Sequence, residues 1–347
     1  MNPVLQPATF SPAPSAATRG RADRVSRLRP YLLHYAWAVV GWNVLVVLWG
    51  AVVRATGSGA GCGNHWPLCN GQVIPQSPQL ATVVEFIHRA MTGGATLSIL
   101  LLLIWTFRAL PGRHLARAAV TASAVFLVLE ALLGALLVKL GYVVHNESMG
   151  RFIVLPVHLA NTLLLLASLT LTAHYIGRTQ GFMRGSVELR SPLVSFFGLA
   201  ATLLVGVSGS LAALGDTLFP AATLRAAFVQ DLSSSSSWLL RLRWVHPAAA
   251  VIAGLYIGWL LYRSRGRESS DRQISITIVI LLLAQLVLGA ADVVLLAPTW
   301  MQIIHLLGAD LLWIALILLT ARLTVVPIGC PHTEPVSGAS AKVCRGF

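Results

Sequence analysis

The sequence predicts an all-α integral membrane protein: eight transmembrane helices arranged as two pseudo-symmetric four-helix bundles. Three observations predict it. The 347 residues are 56% hydrophobic and only 11% charged, whereas a soluble domain carries about 25% charged residues. The apolar residues fall into eight runs, each able to supply the ~20 helical residues that cross a hydrocarbon core. A set of landmarks then recurs, in order, in the two halves of the chain.

The expected spans are 31–53, 83–107, 116–139, 153–176, 193–214, 243–262, 273–296 and 299–321. They divide the chain into a basic, disordered cytoplasmic tail (1–30), a first four-helix half (31–178), a cytoplasmic linker (179–192), a second four-helix half (193–322) and a disordered cytoplasmic tail (323–347). Charge sets the orientation. With the N-terminus inside, 18 of the 25 Lys and Arg residues fall in inner segments, as the positive-inside rule requires. The net charge of +13 is therefore explained by topology, with no nucleic-acid partner. Pro-, Ala- and Ser-rich residues 1–30 lack the apolar core of a secretory signal. A short basic tail before a first span suits a bacterial cell (inner) membrane; an organellar transit peptide, and with it the mitochondrial inner membrane, is the other reading.

The repeat rests on three landmarks. Glu130-Ala-Leu-Leu-Gly134-Ala135 in span 3 returns 155 residues later as Gln285-Leu-Val-Leu-Gly289-Ala290 in span 7. His88 near the start of span 2 returns as His246 in span 6, and His158 of span 4 as His305 of span 8. Four spans per copy is an even number, so both copies cross the membrane in the same sense. All four histidines then lie at similar depth near the outer ends of even-numbered spans, paired as His88 with His158 and His246 with His305.

Ionisable residues within spans are costly and mark functional sites. A single histidine can be explained by an interhelical hydrogen bond; four at equivalent positions point to two metal sites. Imidazole pairs on neighbouring helices hold haem iron. Zinc and copper fit less well, because no third nitrogen or sulfur ligand accompanies either pair. His34, His65, His114, His145, His174 and His332 lie in loops, at inner span ends or in the tail, and are expected to be solvated. Glu85 precedes His88 by three residues and shares its helix face, while Arg243 takes that place before His246. One reading makes Glu85 an interfacial charge paired with Arg89 or Arg54. The other, which we carry forward, takes the acid-against-cation contrast to mean that one half does chemistry and the other holds a redox cofactor. Arg54, Arg89, Arg151 and Arg243 sit at the outer boundary, where guanidinium groups can pair with haem propionates or simply snorkel. Glu130, in mid-span, is expected to be protonated or hydrogen-bonded.

Cys62 and Cys69 fall in the outer loop between spans 1 and 2, where oxidising conditions permit a disulfide; Cys330 and Cys344 fall in the inner tail as expected free thiols. The loop Thr56-Gly-Ser-Gly-Ala-Gly-Cys62-Gly-Asn-His-Trp66-Pro-Leu-Cys69-Asn-Gly71 lacks the Lys-Ser/Thr ending of a nucleotide-binding loop. It reads either as a brace holding Trp66 over the bundle mouth or as a redox pair.

The run Thr56-Gly-Ser-Gly, Cys62-Gly-x-x-Trp66-Pro-Leu-Cys69 and Glu85-Phe-Ile-His88-Arg89 resembles the haem A synthase family. With Leu133-Gly134-Ala135, His158 and the second histidine pair, the resemblance covers nearly all of residues 36–322. It implies oxidation of the C8 methyl of haem O to a formyl group by successive hydroxylations, giving haem A. His88 and His158 would be the axial ligands of the substrate haem, and His246 and His305 those of a resident haem b. Glu85 would be the catalytic carboxylate, and Cys62–Cys69 the disulfide found in some members. Implied partners are the lipid bilayer, a haem O synthase, cytochrome oxidase assembly factors and an unidentified electron-transfer protein. There are two departures. The loop at about 215–242 lacks the second cysteine pair of many bacterial members and carries Ser233 to Ser237 instead, and Glu130 stands where glutamine is frequent. A non-enzymatic di-haem b electron-transfer protein is the alternative reading.

Overall fold

The computed structural model describes residues 16–76, 78–144, 146–178, 187–189, 192–233, 238–263 and 269–327. Its helices are α1 (Ala16–Ala55), α2 (Leu80–Ala109), α3 (Leu115–Lys139), α4 (Met149–Gly177), α5 (Pro192–Leu218), α6 (Leu224–Leu232), α7 (Trp238–Leu242), α8 (Val245–Arg263), α9 (Ser269–Val294) and α10 (Thr299–Thr324). Among the described residues, eight helical segments are long and apolar enough to cross a membrane, and most of their ends lie within a few residues of the expected spans. The protein is an all-α, multi-pass membrane protein. Two short strands, β1 (Val187–Leu189) and β2 (Val325–Pro327), pair antiparallel and tie the linker to the segment after α10.

The helices touch in two closed rings. In the first half α1 meets α2, α2 meets α3, α3 meets α4, and α4 returns to α1; in the second, α5, α8, α9 and α10 close in the same order. The seam is built from the first and last spans of each half, through contacts of α4 with α5 and of α10 with α4 and α1. α4 thus sits centrally, and its buried face runs nearly its whole length. Trp313 of α10 is buried in the first half's core, and its indole N–H donates to Leu163 O at 2.8 Å. At the end carrying the Cys62–Cys69 loop, Arg54 of α1 donates to Ala213 O and Thr217 Oγ1 of α5 at 2.9 Å and to Gln302 Oε1 of α10 at 2.7 Å. A half-buried guanidinium that satisfies three acceptors of the opposite half ties the two halves together directionally.

Two expectations are corrected. α1 begins at Ala16, so its backbone is helical across residues read as a disordered tail. Ala, Arg and Leu are strong helix formers, and a helix once nucleated in the span propagates cheaply into them. Residues 1–15 and 328–347, including Cys330 and Cys344, lie outside the described residues, as do His145 and His332. Second, His114 and His174 are buried rather than solvated, whereas His34 and His65 are exposed.

His114 is the N-cap of α3: its Nδ1 accepts the Ala116 N–H at 3.2 Å. Burial, with Arg29 adding to it, pushes its pKa down to about 4. A base whose folded pKa lies below its unfolded value of about 6.5 contributes stability that is complete above that pH and is lost as pH falls toward the folded value. The thermal unfolding temperature of detergent-solubilised protein is therefore expected to drop between about pH 7 and pH 4.5. His114→Asn keeps a capping acceptor without titrating and should remove part of that drop; an unaltered pH profile in this variant would refute the assignment.

Candidate functional site

Each of the four histidines packs against a glycine of the preceding membrane-spanning helix. A Cβ added at Gly50 of α1 would stand 3.2 Å from His88 Cε1, and one at Gly134 of α3 3.9 Å from His158 Cε1. In the second half the same construction gives 2.9 Å from Gly209 of α5 to His246 Cε1 and 3.3 Å from Gly289 of α9 to His305 Cε1. The small residue lets the imidazole lie back against the neighbouring backbone. All four rings are half-buried. Gly134 and Gly289 mark the repeat in the sequence, but their contact with the histidines, and the equivalent roles of Gly50 and Gly209, emerge only from the structure.

The structure brings the second expected pair together. His246 and His305 have ring centroids 6.3 Å apart, with planes at 85°. Two imidazoles bound to opposite faces of one iron, each at a metal–nitrogen length of about 2 Å, place their centroids about 6 Å apart. His246 Nδ1 lies 3.2 Å from Val205 O and 3.3 Å from Ser208 Oγ. A ring nitrogen that donates to a carbonyl fixes the tautomer and leaves Nε2 as the ligating lone pair. The Nδ1 atoms of His88, His158 and His305 are buried and, among the described residues, have no hydrogen-bond partner; no described residue hydrogen-bonds Nε2 of any of the four. Paired imidazoles with free ligating nitrogens, each with space left behind it by a glycine, fit an iron porphyrin. Among the described residues no group of three or more His, Cys, Asp or Glu could hold a bare metal ion.

Above the first pair, the loop after α1 is pinned to the first turns of α2. Cys62 and Cys69 form a disulfide. A side chain at Gly61 would collide with the Ala81 backbone, so the loop can approach α2 only with glycine there. Thr82 Oγ1 donates to Gly61 O at 2.8 Å, and the Cys62 N–H donates to Glu85 Oε2 at 2.7 Å. Arg89 is ion-paired with Glu85 Oε1 and donates to His65 O and Leu68 O at 2.5 Å. Glu85 is buried, and both its oxygens are engaged. Of the two sequence readings of Glu85, the structure supports the ion pair with Arg89. Arg243 does the matching work in the other half: it lies 3.2 Å from both Asp216 and Asp231 and donates to Gly215 O and Phe219 O at 2.6 and 2.9 Å. Glu85 against Arg243 is therefore no contrast of bare charges, since each belongs to an acid–arginine pair that braces a loop.

The chain matches the cytochrome oxidase assembly protein family over residues 33–317. The chain belongs to the haem A synthase family. It is 46% identical over 322 residues to a protein of Thermus thermophilus named protoheme IX farnesyltransferase; the match takes in 91% of this chain but 52% of that protein. It is also 37% identical over 128 residues to a heme A synthase of Alkalihalophilus pseudofirmus (37% of this chain, 40% of the relative) and 28% identical over 246 residues to one of Bacillus licheniformis (63% and 76%). The chain thus spans about half the length of the Thermus protein.

In this member of the haem A synthase family, all four boundary arginines have partners within the chain. Arg54 bridges the halves, Arg89 and Arg243 brace loops, and Arg151 donates to Val144 O and, at 3.0 Å, to Asn146 O. Two acids escaped the sequence reading. Asp310 of α10 is fully buried, with neither carboxyl oxygen hydrogen-bonded among the described residues, and Asp292 Oδ1 is likewise buried without a partner. Their signal was present: both are ionisable residues within apolar spans, the criterion that singled out Glu130. Glu130 itself is hydrogen-bonded, as expected, by Asn161 and Thr162 of α4.

Proposed function

We propose that the chain is a haem A synthase that oxidises the C8 methyl of haem O to a formyl group by two successive hydroxylations, the gem-diol then losing water. The observation that carries the reading is the imidazole pair His246 and His305, with centroids 6.3 Å apart, in a chain of this family. His88 and His158 would hold substrate haem, and His246 and His305 would hold haem b; the bound irons supply the electron transfer and oxygen chemistry. The protein's own contribution is placement. The glycines set the depth of each ring, and the disulfide loop, latched by Glu85 and Arg89, closes the mouth of the first site and limits access of water. Exclusion of water strengthens every polar contact inside the bundle. We assign Glu85 to that latch, three residues from His88, in place of a free base. Cys62–Cys69 serves as its covalent brace.

The basic-residue bias supports a cell-membrane protein with both termini cytoplasmic and both histidine pairs toward the outer leaflet. The name of the Thermus relative supports a haem O synthase as the neighbour in the reaction sequence, because haem O is a farnesylated haem. Assembly factors and an electron-transfer protein complete the proposed partners.

Co-expression of the chain with a source of haem O tests the reading. Extracted pigment is expected to contain haem A, and haem O that persists with no haem A would overturn it in favour of a di-haem electron carrier. Purified protein without any haem absorbance would overturn both.

A further inference from the structure

The two halves differ behind their histidines. In the first half, Glu130 of α3 reaches across to α4, its Oε1 3.5 Å from His158 Nδ1. Two residues of α4 aim it. Asn161 Nδ2 donates to Oε2 at 2.6 Å, and Thr162 Oγ1 donates to Oε1 at 2.5 Å. Asn161 Nδ2 also reaches Phe126 O at 2.9 Å, which ties it to the α3 backbone one turn before Glu130. Asn161 and Thr162 follow His158 by three and four residues, so all three side chains leave one face of α4. The arrangement aims a carboxylate at the rear nitrogen of a ligand imidazole at ion-pair range, outside hydrogen-bond geometry.

The second half keeps the positions and changes the chemistry. Gln285 stands where Glu130 does in the repeat, and its amide is packed directly against Gly308. Gly308 follows His305 by three residues, the place of Asn161 after His158. Among the described residues no carboxylate is paired with His305, and His246 Nδ1 faces the neutral carbonyl of Val205.

We propose that Glu130 is a positioning residue that makes His158 the most electron-donating of the four ligands, tuning the first site for oxidation chemistry and leaving the second suited to electron transfer. This rests on the proposed haem sites. An imidazole whose rear N–H faces a carboxylate is a stronger base at its ligating nitrogen than one facing a carbonyl. A stronger axial donor favours the higher oxidation state of iron and lowers its reduction potential. The contrast between the halves, first sought in Glu85 against Arg243, thus lies one helix away, in Glu130 against Gln285.

The test is a redox titration of purified, haem-loaded protein, with optical and electron paramagnetic resonance spectra of each component. His246→Ala identifies which component belongs to the second pair. Glu130→Gln, which installs the second half's own residue, is expected to raise the potential of the first component and shift its spectrum, with the second unmoved; Glu130→Asp should recover part of the difference. The reciprocal Gln285→Glu is expected to lower the potential of the second component, and it carries the test on its own if Glu130→Gln fails to load haem. Potentials that ignore both substitutions, or that move equally at both sites, would overturn this inference while leaving the proposed function standing. Wild-type protein that binds no haem would overturn both.

Discussion

His246→Ala is expected to empty the second haem site while leaving the first able to load. The ring it removes is one of two whose centroids stand 6.3 Å apart, and a haem left with a single histidine where two were available loses a full iron–nitrogen bond. Loss of residues that merely orient a ligand costs about 10–100-fold in metal affinity, so loss of the ligand itself should cost more than about 100-fold. Haem content measured per chain after purification should fall by one component, with no haem A formed on co-expression. The site's tightness grades the same measurement. Gly209→Ala places a methyl 2.9 Å from the His246 ring and should displace it, whereas Gly134→Ala, at 3.9 Å from His158, should be nearly silent. A full haem complement in His246→Ala would contradict the assignment of the second pair.

What the sequence discloses and what it hides divide along the range of the interactions. Span 3 was expected at 116–139 and is Leu115–Lys139, and span 8 was expected from residue 299 and begins at Thr299. Hydropathy is summed over some twenty neighbouring residues, so a span's existence survives errors at any one position. The histidine pairing was legible for a related reason, because a repeat registers the two halves without knowledge of contacts. Partners of the charged residues were not legible. Glu85 receives its hydrogen bond from Cys62, 23 positions away, and Arg54 reaches Gln302, 248 positions away. Pattern at helical spacing carries no information at those separations. Arg243 misled for this reason, since its countercharges Asp216 and Asp231 lie on other elements. The glycines behind the rings were in plain view, yet a glycine in an apolar helix becomes informative only when the side chain filling its space is known.

The second large effect is expected at Glu85, and it separates a structural latch from a catalytic base. Glu85→Ala leaves the Arg89 guanidinium without its partner and the Cys62 N–H without its acceptor, both in a site where Glu85 is 3% exposed. Stranding one member of a buried ion pair costs about 3–5 kcal/mol, so the variant should unfold at a visibly lower temperature and convert little haem O. Arg89→Ala breaks the same latch from the other side. If the pair acts as a unit, the double variant should be no worse than either single one, because the interaction can be lost only once. Glu85→Gln keeps an oxygen for Cys62 and should retain much of the loop and part of the conversion. The opposite pattern would restore the free carboxylate: Glu85→Gln abolishing conversion in a fully stable protein, with Arg89→Ala still active. Thermal unfolding and haem A yield, measured together across the four variants, decide between these patterns. The hydrogen bonds that Glu85 accepts from Cys62 and Arg89 favour the latch, because they hold both oxygens against the loop and the next turn of its own helix.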